Sequence, residues 1–133
     1  MADETKVREV VARFFEFTGA DIEYAENLYH PEAVLEFPQS GERFDGRATF
    51  TEWRRQYPVS SDDLRYRVGR ITARDDFAVT ELTASYDRGQ TWVYGVQLLD
   101  FRDDKVIRER IYVADGWDPP EWRAPWRSAT PAD

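Results

Sequence analysis

The chain has 133 residues, 26 acidic and 18 basic, for a net charge of −8. That length carries one domain with a single core, and that charge balance argues against a nucleic-acid partner, which needs a basic surface. The absence of Cys excludes disulfides, thiolate metal sites and thiol nucleophiles, and one His leaves no multi-histidine metal centre and little basis for a Ser-His triad.

The N-terminal stretch MADETKVREV is charged and has no apolar signal core. No apolar run approaches membrane-spanning length, so the expected setting is cytoplasmic, with no membrane partner. Val7, Val10, Val11, Phe14, Phe15 and Thr18 recur at helical spacing and predict a first helix from Thr5, stopped by Gly19. A second, short helix is expected after Asp21, with Ile22, Ala25, Leu28 and Tyr29 inward and Pro31 as its end. Ala33–Phe37 reads as a short strand closed by Pro38, and SGERFDG as turn chemistry. A third helix follows Gly46, with Phe50, Trp53 and Tyr57 on one stripe and Pro58 as its end.

From Leu64 the pattern becomes β. Four strands are expected at about 64–74, 77–87, 91–102 and 105–114, joined by the turns ARDD, DRGQ and RDDK. The tail from 115 to 133 holds four Pro and three Trp and matches neither helix nor strand. The predicted class is α+β in a single domain spanning 1–133. Three N-terminal helices pack in a strongly curved, mostly antiparallel sheet that encloses a cone.

This order resembles the nuclear transport factor 2-like superfamily, in particular its SnoaL-like branch. The stretches that carry the resemblance are ENLYHPEAVLEFP, FDGRATFTEWRRQY and LLDFRDDKVIRERIYVADGW. Members include ketosteroid isomerases, polyketide cyclases, epoxide hydrolases, dehydratases and non-catalytic binding modules, among which fold does not select. The resemblance places the isomerase base, just before a proline on the first strand, at Phe37. It places the oxyanion donors at Phe14 and Gln97. The His and Asp of the cyclases fall at Glu109 and Ile111. Alternation along the strand puts Glu36 on the other face from Phe37, as an outer-face or interface carboxylate.

One carboxylate thus faces the presumed pocket. Ile107, Glu109, Ile111 and Val113 share a face, as do Val93, Gly95, Gln97, Leu99 and Phe101, each stripe broken by one polar residue. A carboxylate on an apolar face needs a partner or holds its proton. Glu109 is therefore either one half of an ion pair, with Arg54 or Arg67 as candidates, or the acid or base of a site in which Gln97 orients a substrate. Phe14, Phe37, Trp53, Tyr57, Leu99 and Ile111 are candidate walls, with core packing as the alternative for the Trp53 and Tyr57 stripe. Trp117 or Trp122 either closes the mouth of the cone or packs outside. His30 is expected to satisfy the last helix carbonyls.

The opposite sheet face, with Trp92, Tyr94, Val96 and Leu98 beside Arg108, Arg110 and Tyr112, is too apolar for water. A second copy is expected to cover it as a twofold homodimer. Three functions stay open: a cofactor-free isomerase, cyclase or hydrolase of an apolar carbonyl or epoxide compound, a binding protein for an apolar ligand, or a dimeric interaction module with a filled core.

Overall fold

The computed structural model describes residues 5–9, 11, 27–56 and 62–128. The predicted second helix falls mostly outside them, as do Phe14, Tyr57 and the side chain of Arg54. Residues 5–9 are helical, and Val7 and Val11 on the predicted inner stripe are fully buried.

The elements that follow are β1 (Tyr29–Phe37), β2 (Glu42–Asp45), α1 (Arg47–Arg55), β3 (Arg65–Arg74), β4 (Phe77–Ser85), β5 (Val93–Arg102), β6 (Lys105–Asp115) and a 3-10 helix (Glu121–Trp126). The strands form one curved, unclosed six-stranded sheet in the order β2-β1-β6-β5-β4-β3. All neighbours are antiparallel except β1 and β6, which run parallel.

Three sequence expectations need correction. The first strand begins at Tyr29, four residues before Ala33, so Tyr29 belongs to the sheet and not to a helix. Sheet pairing decides this, because Tyr29 is registered with Val106 and the Val106 N–H donates to Leu28 O at 2.9 Å. Pro31 has no N–H to give, and it sits where the β1–β6 register shifts between Tyr29 and Val34. His30, also in the strand, accepts the Glu32 N–H on Nδ1 at 3.0 Å instead of capping a helix. The second correction is β2, which occupies the middle of the expected turn and pairs Phe44 with Leu35. The third is the tail, where EWRAPW closes into a 3-10 helix.

Turn chemistry holds where it was legible. Asp103 and Asp104 both take positive φ, 53° and 62°, as a tight two-residue hairpin of the right hand demands. At the β4–β5 turn the Asp87 carboxylate accepts the Thr91 hydroxyl, the Thr91 N–H at 2.8 Å and the Ser85 hydroxyl at 2.7 Å. These bonds, the Thr91 hydroxyl foremost, pull Asp87 down to about 2. An unfolded Asp titrates near 3.9, so this contribution is complete above roughly pH 4 and is lost as pH falls toward the folded value. Thermal melts of Asp87→Ala should therefore show a shallower loss of stability between pH 5 and pH 2 than wild type. Parallel curves would mean that Asp87 is protonated alike in both states.

The core lies on the concave side. Ala33 and Leu35 of β1, Phe50 of α1, Ala73 and Ala78 across the β3–β4 hairpin, and Leu99, Phe101 and Val106 close around Val7 and Val11. Arg8 ties the N-terminal helical residues to the sheet by donating to Ile71 O at 2.8 Å. Gly46, at φ +87°, turns the chain from β2 into α1 while its N–H donates to Ala33 O at 2.8 Å, and that fixes Phe50 over the sheet.

Candidate functional site

Glu109 lies in the middle of β6, on the concave face, and is 0 % exposed. Its Oε1 accepts the Tyr29 hydroxyl at 2.5 Å and its Oε2 accepts the Gln97 amide Nε2 at 2.6 Å. Both bonds are enclosed, since Tyr29, Gln97 and Glu109 are all buried. Leu99 is registered opposite Glu109 and Ile111 opposite Gln97, so the two strands set an alternation of polar and apolar side chains on one surface. The fold thus brings Glu109, Gln97, Leu99 and Ile111 together, as the stripes predict.

Tyr29 is the member that the sequence reading missed. Its ring is fully buried and meets Phe50 edge-on, with centroids 4.9 Å apart. Arg47 donates to its carbonyl at 3.1 Å and so locks the start of β1 to α1. Thr80 is a second residue not singled out, although the alternation Ala78, Thr80, Leu82, Ala84 along β4 was a usable signal. It stands directly across from Gln97 and is 0 % exposed.

Among the described residues, two polar atoms at this spot lack a hydrogen-bond partner. They are Gln97 Oε1 and Thr80 Oγ1, and both are buried. Gln97 uses its amide N–H on Glu109, so its oxygen can only accept, whereas the Thr80 hydroxyl can donate and accept. Enclosed polar atoms left unpaired are costly, and these two belong to residues registered directly opposite each other on β4 and β5.

Of the other predicted walls, those among the described residues lie elsewhere. Phe37 and Trp53 meet in an open groove of about 370 Å³, lined also by Gln39, Ser40, Glu42 and Phe44. Phe37 lies 6.0 Å from Trp53 and 6.0 Å from Phe44, centroid to centroid. Neither Glu109 nor Gln97 lines this groove. Trp117 is 78 % exposed, in the tail, and is part of neither the groove nor the core. Arg67, a candidate partner for Glu109, stacks on Trp92 at 4.1 Å instead.

Glu36 stands on the convex face. Its carboxylate takes Arg108 Nε at 2.8 Å and Nη2 at 3.2 Å, and that guanidinium, by its hydrogen bonds first, holds Glu36 below the usual carboxylate range. Parity along β1 explains the placement, since Ala33 and Leu35 are buried while Val34 and Glu36 alternate with them.

These features can be set beside known proteins. The model of the SnoaL-like domain matches residues 8–109, and the chain belongs to that family. Among solved structures it is similar to an NTF-2 like protein of unknown function from Burkholderia xenovorans LB400. They are 29 % identical over 96 % of this chain and 98 % of that one, with a TM-score of 0.84. It is also similar to a candidate ketosteroid isomerase from Kribbella flavida DSM 17836, 25 % identical over 100 % of this chain and 96 % of that one, with a TM-score of 0.86. The epoxide hydrolase/cyclase-like enzyme SalBIII of pyran ring formation in salinomycin shares the fold at 22 % identity, over 86 % of this chain and 95 % of that one, with a TM-score of 0.70. A comparison with curated proteins finds no match. Among the described residues no helix is long and apolar enough to cross a membrane.

Proposed function

We propose that the concave face binds a small, largely apolar compound and that Glu109 moves a proton on it, in cofactor-free acid–base chemistry on a carbonyl, enol or epoxide. The observation that carries this reading is the enclosed Tyr29–Glu109–Gln97 network. Each carboxylate oxygen meets a side-chain donor of the sheet, the Tyr29 hydroxyl on Oε1 and the Gln97 amide on Oε2. Tyr29 and Gln97 hold the group in one orientation, as a positioned acid or base requires. Leu99 and Ile111 flank it, and Phe14 and Tyr57 are assigned to the walls on sequence grounds. The likenesses to a candidate isomerase and to an epoxide hydrolase/cyclase-like enzyme support the reaction class.

The Thr80–Gln97 pair sets the polar end of the ligand. A hydroxyl completes both groups by donating to Gln97 Oε1 and accepting from Thr80, whereas an ether cannot donate. Enols and ring-opened epoxides carry such a hydroxyl. Both side chains are enclosed, so the ligand arrives by displacing packed apolar groups. Calorimetry with 2-naphthol and its methyl ether tests this, with the naphthol expected to bind at least ~10-fold tighter. In Thr80→Val that preference should shrink to a few-fold, while the ligand-free protein melts no lower than wild type, because an unpartnered hydroxyl has been replaced by a methyl. Conversion of 3-cyclohexenone to the conjugated enone and of styrene oxide to the diol tests the chemistry.

A second reading, binding without proton transfer, draws on the same network, in which both Glu109 oxygens are already engaged. Ligand binding with no conversion of either probe would favour it. In both readings the convex face pairs two copies about a twofold axis, for Tyr94, Val96 and Tyr112 stand exposed there.

A further inference from the structure

The C-terminal arm departs from β6 at Gly116, where a Cβ would come within 3.2 Å of Cε2 of Tyr94. The glycine lets the chain pass against an exposed ring of the convex face. Beyond it the 3-10 helix buries none of its residues. Trp117, Trp122 and Trp126 are 78, 72 and 76 % exposed, and two of them bracket the rigid Arg-Ala-Pro turn of that helix. A covered aromatic side chain removes about 150–250 Å² from water. Three so exposed leave roughly 400–500 Å² per chain, or roughly 900 Å² for two copies, a large part of the ~1,200–2,000 Å² of a specific interface.

The convex face shows the matching deficit. Tyr94, Val96 and Tyr112 are exposed on β5 and β6, and Arg110 on the same face has a buried Nε with no acceptor. Acceptors are plentiful on the arm, with the carboxylates of Asp118 and Glu121 and the carbonyls of a Pro-rich backbone that has few partners of its own. One surface offers indoles and acceptors, the other offers apolar rings and an unanswered donor, and within a single chain they do not meet. A twofold axis satisfies both at once, because each copy carries one of each.

We infer that residues 116–127 form an exchanged arm, whose tryptophans lie on the convex face of a second copy and whose polar groups answer its Arg110. The inference rests on the twofold pairing proposed above and names what holds it together. Because the three tryptophans are exposed and none belongs to the core, substitutions at them leave the core untouched.

Sedimentation velocity from 1 to 100 µM tests it, on wild type, on the triple variant Trp117→Ala/Trp122→Ala/Trp126→Ala and on Tyr94→Glu, each checked for wild-type circular dichroism. The expected result is a wild-type dimer, with dissociation weakened at least ~100-fold in the triple variant, since aromatic anchors dominate interface energy. Acrylamide quenching of the wild-type tryptophans should fall as the protein is concentrated through its dimerisation range. A triple variant that dimerises as wild type does, with Tyr94→Glu monomeric, overturns the arm and leaves the pairing of sheets standing. Tryptophans as well protected in monomeric Tyr94→Glu as in the wild-type dimer place the arm on its own chain and also overturn it. A monomeric wild type at 100 µM overturns arm and pairing together.

Discussion

Glu109→Gln should abolish proton transfer while leaving the ligand in place. Positioned acid–base groups contribute typically 10²–10⁴-fold to rate, so conversion of whichever probe is turned over should fall at least ~100-fold. The new amide is nearly isosteric, and its oxygen still accepts the Tyr29 hydroxyl that now reaches Oε1 at 2.5 Å. Its NH₂ replaces the oxygen that Gln97 Nε2 now approaches at 2.6 Å, so two donors meet. A half-turn of the Gln97 amide resolves the conflict by presenting Oε1 to the new NH₂. That rotation pairs Gln97 Oε1 and turns its NH₂ to the side where Oε1 stood, with the unpaired Thr80 hydroxyl across the strand pair as its acceptor, so the variant should fold nearly as well as wild type. Affinity for 2-naphthol should then fall only by the loss of the Gln97 acceptor, while Glu109→Asp, with the charge kept and the reach shortened, should recover part of the rate. A Glu109→Gln protein that converts the probes at the wild-type rate would remove Glu109 from the chemistry.

How much of this was visible in the sequence differs by residue, and the differences have physical reasons. Glu109 could be read because the sequence of β6 alternates through Glu109, Ile111 and Val113, so the carboxylate had one place to point, although a register shift near Ile107 puts Val106 and not Ile107 in the core. Glu36 was legible for the same reason, since parity alone sends it to the convex face, where Arg108 meets it. Tyr29 was not legible. Its spacing from Leu28, Ala25 and Ile22 fits a helix, and the contact that gives it a role spans 80 positions of chain, a separation that no local pattern encodes. The strand β2 escaped because four residues that are mostly exposed have no hydrophobic period to detect, and only pairing with β1 makes them a strand. The candidate walls divided for a related reason. Phe37 and Trp53 belong to apolar stripes, as expected, but stripes say which face is buried and not which end of the cone a ring reaches.

The second large effect concerns the support of the site and not its chemistry. Phe50→Ala should destabilise the protein by about 3–5 kcal/mol, the usual range for a buried Phe truncated in a packed core. Total stabilities of domains run about 5–15 kcal/mol, so the variant stays folded at room temperature but with much of its margin gone. Phe50 is 0 % exposed and is the ring against which Tyr29 stands edge-on, 4.9 Å away at an interplanar angle of 65°. Removing it takes away dispersion contacts and the packing that keeps the Tyr29 hydroxyl on Glu109. Loss of stability and loss of site geometry should therefore travel together. Chemical denaturation measures the first, and the ultraviolet difference spectrum of tyrosine on Tyr29→Phe, compared in the wild-type and Phe50→Ala backgrounds, measures the second. Phe50→Leu keeps most of the volume without the edge-on ring, and it should recover much of the stability and less of the tyrosine signature. If Phe50→Ala costs less than about 1 kcal/mol, the core does not close over Tyr29 in the way described, and the network around Glu109 has lost its main support.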